Sequence, residues 1–339
     1  MMRLPRFHYH APRSVREAAE QLAAFPGDAM LVAGGTDVLP KMKRRQQVPS
    51  HLIGLRRIAE LKHVSSEHGL TIGAAVTLSE LMHLPDLRRT HRGLWQAAAQ
   101  IATPHLRNMG TVGGNLCLDT RCNYYDQSYE WRKAINFCMK KDGDTCWVAT
   151  SSPKCLAVSS TDLAPMLAAL GATAAIRSVE GDRQVAVADL YRNDGIQYLT
   201  RQPTEIVVSL HVPTLGWRSA YWKLRRRGSF DFPVLSVAAA VKLARDGTVE
   251  AARIVLGAVA SSPLDAPDAA RSLLGAPLTD DRILEAAHLA ARPARPMDNT
   301  DFSLHWRKRV ARELVAYALR EVRGDDVSDL RKRVSRLLL

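Results

Sequence analysis

Two short stretches, LVAGGTDVLP (Leu31 to Pro40) and GTVGGNL (Gly110 to Leu116), set the tightest limit on how this chain can fold. Each places adjacent glycines beside small hydroxyl or amide residues. The first follows the apolar run Met30 to Ala33, the pattern of a strand entering a tight turn. Glycine permits positive φ and lets a ligand approach the backbone closely. Successive exposed N–H groups then make an anion cradle, and Thr36, Thr111 and Asn115 can add side-chain donors. One such turn is usually only a turn, but two with this chemistry point to a diphosphate-bearing ligand. Neither has the G-x-G-x-x-G spacing or the Lys-Ser/Thr of a P-loop, which disfavours a standard NAD domain or an NTPase.

Around these turns helices and strands alternate. Ser14 with Glu17, and Thr77 with Glu80, have the spacing of capping boxes that open helices. Segments 51–55, 70–74, 205–212 and 221–224 have strand patterns, and a helix is expected from Gly93 to about Ile101. Asp162 stands near a helix start and Gly171 follows its end. From Pro233 the chain turns Ala- and Val-rich. VLSVAAAVKLA and AARIVLGAVA have strand patterns, 280–291 and 304–320 helical ones, and the tail RGDDVSDLRKRVSRLLL suits a short docking helix. A chain of 339 residues is long enough for two or three domains.

Between Asp119 and Cys155 lie Cys122, Cys138, Cys146 and Cys155, four of the five cysteines, in a polar stretch with no sustained period. Loops of such length inside a domain are uncommon and usually functional. No apolar run reaches membrane-span length, and MMRLPRFHYHAPRS lacks the apolar core of a secretory signal, so a cytoplasmic protein is expected. In a reducing compartment, clustered cysteines suggest metal or redox chemistry before disulfides. Structural zinc usually takes cysteines paired at C-x₂₋₄-C, whereas the steps here are 16, 8 and 9 residues. An iron–sulfur cubane needs four thiolates converging from different directions, which an irregular loop can supply, but the spacing is no ferredoxin motif. Spacing therefore leaves both open.

The net charge is +13, with basic runs KMKRRQQ, KLRRRGS and WRKRVAR. No zinc finger, helix-turn-helix or RNA-binding aromatic motif accompanies them, so an acidic redox partner or a phosphate-bearing ligand is expected rather than nucleic acid. No catalytic triad, paired general acid and base or Walker motif is present, so the organic substrate is expected to react elsewhere.

LVAGGTDVLPKMK, ATPHLRNMGTVGGNLC, SSTDLAPMLAALGA and YWKLRRRGSFDFPVLSVAAAV, in this order, resemble the FAD-binding subunit of the molybdenum hydroxylases, the xanthine dehydrogenase and carbon monoxide dehydrogenase family. The resemblance covers essentially the whole chain. It implies an α+β fold: an FAD-binding domain over residues 1–222, in subdomains of about 1–57 and 58–222, then a smaller α+β domain over 223–339. It also implies that Leu31, Val32, Ala33, Gly34, Gly35, Thr36, Asp37 and Val38 wrap the diphosphate, and that Ile101 and Ala102 line the flavin. Thr111, Gly114 and Asn115 would form a second phosphate loop, Asp162 would bind a ribose hydroxyl, and Lys223 would reach the flavin or ribityl region. Asp37 departs from the glutamate or serine of some relatives. A carboxylate beside a diphosphate is unfavourable, so Asp37 is expected to turn away or cap the following helix. For Asp162 the competing role is a plain helix N-cap.

In ordinary family members the GGN loop runs closely into the next Ser-Asp motif. Here Asn115 and Asp162 are 47 residues apart, which makes 118–158 an insertion. One branch, the 4-hydroxybenzoyl-CoA reductases, carries such an insert with a 4Fe-4S cluster in its flavin (β) subunit. That resemblance implies Cys122, Cys138, Cys146 and Cys155 as cluster ligands and leaves Cys117 out, while Tyr124, Tyr125 and Trp131 pack the loop. The implied role is electron transfer: FAD and the cluster pass electrons from an acidic ferredoxin toward 2Fe-2S clusters on a small subunit and a molybdenum cofactor on a large one. The reaction would be reductive dehydroxylation to benzoyl-CoA in anaerobic degradation of aromatic compounds, within a dimer of heterotrimers. The positive charge suits an acidic donor. The alternative is the FAD subunit of a molybdenum hydroxylase that oxidises another substrate with NAD as acceptor. No membrane or nucleic-acid role is expected.

Overall fold

The computed structural model describes residues 2–213 and 216–336. Strands β1 (His8–His10), β2 (Ala29–Val32) and β3 (His51–Gly54) form a parallel sheet in the order β1-β3-β2. Parallel neighbours need crossovers, and helices Val15–Ala24 and Val38–Lys43 provide them. Helix Val15–Ala24 buries Val15, Ala18, Ala19 and Leu22, which pack on Ile53, Ile58 and Leu61. Ser14 caps it by accepting from the Glu17 N–H at 3.1 Å, but the Glu17 carboxylate returns to the Arg13 N–H, so the expected box closes one residue early. The box at Thr77 and Glu80 is complete.

Strands β4 (Val64–Ser65), β5 (Leu70–Gly73), β6 (Thr173–Arg177), β7 (Asp182–Ala186) and β8 (Ile206–Val212) make an antiparallel sheet ordered β4-β5-β8-β6-β7. Helices Arg92–Ala99 and Leu163–Ala169 belong to the same core. A third, antiparallel sheet holds β9 (Trp217–Leu224), β10 (Leu235–Leu243), β11 (Val249–Gly257) and β12 (Leu264–Asp265), ordered β12-β11-β10-β9. Along β10, Val237, Ala239 and Val241 face helices Asp280–Ala291 and Leu304–Arg323, while Ala238 and Ala240 face the core that holds helices Arg92–Ala99 and Leu163–Ala169. Burial on both faces explains the unbroken apolar run.

Strand β9 pairs with β10 from Trp217 to Leu224. The expected division at 222/223 falls inside this strand. Arg218 and the buried Ser219 interrupt its apolar pattern and hid its first half. The tail helix Ser328–Arg336 docks through Arg331, which pairs with Glu321 and covers the Trp222 ring. Its last expected residues, 337–339, lie outside the described residues. Among the described residues, no helix is long and apolar enough to cross a membrane.

Candidate functional site

After β2 the chain turns through Ala33, Gly34 and Gly35 into helix Val38–Lys43. A Cβ on Gly34 would overlap the Met109 carbonyl, so the backbone of the second glycine loop lies directly against the first. Gly35 has φ +73°, a conformation L side chains rarely adopt. A Cβ on Gly110 would stand 3.6 Å from Thr36 Oγ1. Thr111 caps helix Val112–Leu116 by accepting from the Gly114 N–H at 3.1 Å, and Gly114 is exposed. Leu31, Val32, Ala33 and Val38 are half-buried on the first loop and Thr36 is exposed. The two loops therefore form one backbone cradle. Asn115 is partly committed elsewhere: its Oδ1 accepts from Thr161 Oγ1 at 2.8 Å and the Leu163 N–H at 3.1 Å, which fixes the start of helix Leu163–Ala169.

Beyond the cradle, the turn Gln100–Ala102 is held at three successive carbonyls. Lys223 Nζ (3.0 Å) and Arg225 Nη1 (2.9 Å) donate to Gln100, Arg107 Nη1 (2.7 Å) to Ile101, and the Phe230 N–H (3.2 Å) to Ala102. Ala102 has φ +48°, strain of the kind that persists where surroundings over-determine it. Asp162 is 2% exposed and accepts from Tyr221 OH at 2.7 Å and Lys223 Nζ at 3.0 Å. Burial raises its pKa, with the lysine opposing, and burial lowers that of Lys223. Asp162 does not cap its helix; each of its oxygens accepts one hydrogen bond, and it holds Lys223 against the Gln100–Ala102 turn.

The cysteine insert is closed at its base by paired backbone bonds between Arg121 and Val158, at 2.8 and 2.7 Å. Inside it, Cys122, Cys138 and Cys155 pack in one cluster with Tyr125 and Ala157, and Cys146 is buried close enough to act electrostatically on the Cys122 and Cys155 thiols. The Tyr124 and Ala157 backbone N–H groups favour the Cys122 and Cys155 thiolates, against the larger effect of burial. Burial pushes the Cys122 thiol up to about 12 and the Cys155 thiol to about 11. The stretch is less irregular than its sequence suggests, because Ser128 caps a short helix, Tyr129–Ala134. Tyr125 packs the loop as expected, whereas Trp131 is 40% exposed. Cys117 packs instead against the core that contains helix Leu163–Ala169.

Among the described residues, no three His, Cys, Asp or Glu side chains converge tightly enough to hold one metal ion. In a cubane each thiolate binds a different iron, so the sulfurs stand farther apart than ligands sharing one ion. Four buried thiols fit that donor set.

The chain matches the FAD binding domain in molybdopterin dehydrogenase over residues 5–215 and the CO dehydrogenase flavoprotein C-terminal domain over 219–322. It belongs to this flavoprotein family. The FAD-binding subunit of an aldehyde oxidoreductase of Escherichia coli is 33% identical over 92% of this chain and 98% of its own. The carbon monoxide dehydrogenase medium chain of Hydrogenophaga pseudoflava is 28% identical over 93% of this chain and 96% of its own. A crystal structure of Cu,Mo-CO dehydrogenase superposes with a TM-score of 0.78 at 26% identity, covering 95% of this chain and 99% of that one. Quinoline 2-oxidoreductase from Pseudomonas putida gives 0.75 at 26% identity, covering 95% and 98%. The flavoprotein fold and the glycine cradle agree: with the Cβ atoms absent, backbone N–H groups can approach a diphosphate.

Sequence reasoning missed the charges that join this flavoprotein's cradle to its insert. Asp37 makes no cap bond on helix Val38–Lys43 and instead turns to Arg121. Arg121 also holds Asp126 at 3.0 Å, and Asp126 accepts from the Cys122 N–H at 3.1 Å. A second tie runs from Lys41, whose side chain is fully buried, to Asp119, and from Asp119 to Lys140 Nζ at 2.8 Å. Burial alone would raise the Asp119 pKa, but Lys140 and Lys41 outweigh it and hold it at about 2. Nothing but unlike charges at long sequence separation could have signalled either tie.

Proposed function

We propose that this FAD subunit of a molybdenum hydroxylase-type oxidoreductase also holds a 4Fe-4S cluster on Cys122, Cys138, Cys146 and Cys155, and works as an electron relay for partner subunits. The observation that carries the proposal is the group of four buried thiols on an insert tied to the diphosphate cradle through Asp37, Arg121 and Asp126. When bound, FAD supplies two-electron chemistry and the cluster one-electron chemistry. The chain's own residues bind and orient. The backbone around Gly34, Gly35 and Thr111 to Asn115 would hold the diphosphate, and Ile101 and Ala102 would wall the flavin, with Lys223 fixed behind them by Asp162. Burial of the cysteine nest excludes water.

The partners that fit this reading are a large subunit with the molybdenum cofactor and a small 2Fe-2S subunit, assembled as a dimer of heterotrimers in the cytoplasm. The relatives are named for an aldehyde oxidoreductase and a carbon monoxide dehydrogenase. Those names favour an oxidative reaction, with an aldehyde as the first substrate class to test. The insert itself supports a second reading, a 4-hydroxybenzoyl-CoA reductase fed by ferredoxin. Anaerobic mixing separates the two. Flavin bleaching of the whole complex by aldehydes supports the first reading. Failure to bleach with aldehydes, together with turnover of 4-hydroxybenzoyl-CoA on reduced ferredoxin, supports the second.

A further inference from the structure

Lys140 is buried inside the insert, with a side chain 6% exposed, and the relay just described gives it no task. Its three ammonium protons are all committed: to Asp119 Oδ1 at 2.8 Å, Thr120 Oγ1 at 2.7 Å and the Gly195 carbonyl at 2.5 Å. The charge is therefore fixed in place. Gly195 is also where Cys155 rests. The Gly195 N–H donates to the Cys155 carbonyl at 2.9 Å, and a Cβ on Gly195 would stand 2.6 Å from Cys155 Sγ. Ammonium and sulfur thus flank one glycine. The Tyr125 ring, which packs in the cysteine cluster, lies 5.0 Å from Lys140 Nζ and 5.0 Å from Lys41 Nζ.

The charges do not cancel. Lys41, Asp119 and Lys140 are two cations and one anion. The neighbouring sets balance themselves: Arg121 and Arg44 against Asp37 and Asp126, and the buried Arg132 against Asp142 at 3.8 Å. One surplus positive charge is therefore buried beside the nest, and burying an uncompensated charge is costly. An anionic centre at the thiolates would offset it.

We propose that Lys140 is a fixed charge that raises the reduction potential of the centre held at Cys155. The inference rests on the cluster reading above. One added electron makes a thiolate-bound centre more negative by one charge, and a nearby cation in a low-dielectric interior stabilises that reduced form. The surplus charge thereby selects the cluster as an electron acceptor within the subunit.

The test is a potentiometric titration of the cluster in the full-length, anaerobically purified protein and its variants. Lys140→Met is expected to shift the one-electron equilibrium at least tenfold toward the oxidised form, about 59 mV lower. Lys140→Arg, which keeps the charge, should stay near the wild-type potential. If Lys140→Met fails to retain iron, Lys140→Gln, which keeps an N–H donor toward Asp119 and Gly195, should show the same fall. An unchanged potential in a neutral variant with its iron intact overturns the proposal. So does loss of iron from both neutral variants, which would make the ammonium a structural support. Absence of iron from the wild type would instead defeat the cluster reading itself.

Discussion

Gly34 and Met109 touch where a side chain would not fit: a Cβ on the glycine would overlap the methionine carbonyl. This contact joins the two glycine loops into one cradle. Gly34→Ala should push them apart and weaken FAD binding at least tenfold, about 1.4 kcal/mol. Flavin titration of the apoprotein measures it, with the melting temperature reporting whether the fold survives.

Arg121 neutralises Asp37 at the edge of that cradle. Removing the guanidinium leaves a carboxylate facing the diphosphate loop, so Arg121→Ala should weaken FAD roughly tenfold, about 1.4 kcal/mol. Adding Asp37→Asn should recover part of the loss. A double-mutant cycle on FAD affinity gives the coupling, and strict additivity would show that the two residues do not act together.

Asp162 and Lys223 form a buried pair behind the Gln100–Ala102 turn. Asp162→Ala strands the ammonium and should cost about 3–5 kcal/mol of stability by chemical denaturation. The double variant Asp162→Leu with Lys223→Met, which removes both charges, should recover most of that.

Much of this was legible in sequence, and the division follows the range of the interactions. The glycine cradle could be read because its constraint is local: the backbone needs no Cβ at Gly34 and Gly35. The Thr77 cap and the helix Asp280–Ala291 were equally local. The β6–β7 hairpin escaped because its outer strand is mostly exposed and polar. The first half of β9 escaped because Ser219 is buried to accept from the Gly93 N–H at 3.1 Å, a partner 126 residues away. At the site, Asp162 and Asn115 were found as residues but not in their contacts. Lys41, Asp119, Arg121 and Lys140 were missed altogether, since only tertiary folding brings Lys41 to Asp119 across 78 positions.

Asp119 makes stability depend on acid. Its carboxyl falls from 3.8 to about 2 in the folded protein, so the unfolded chain binds its proton first as pH drops. The stabilisation is fully present above about pH 4 and disappears as pH falls through about 2. It amounts to about 2 kcal/mol. Denaturation of wild type and Asp119→Asn between pH 5 and 2 should show the wild-type advantage shrinking across that window. An advantage independent of pH would contradict the ion-pair account.

The proposed cluster on Cys122, Cys138, Cys146 and Cys155 has a direct analytical signature. Iron, acid-labile sulfide and FAD, measured together on anaerobically purified protein, test it most directly. About four irons and four sulfides per FAD are expected, with both lost and FAD kept in Cys138→Ser, and neither changed in Cys117→Ser. Zinc in place of iron, or a flavoprotein with neither iron nor sulfide, would contradict it.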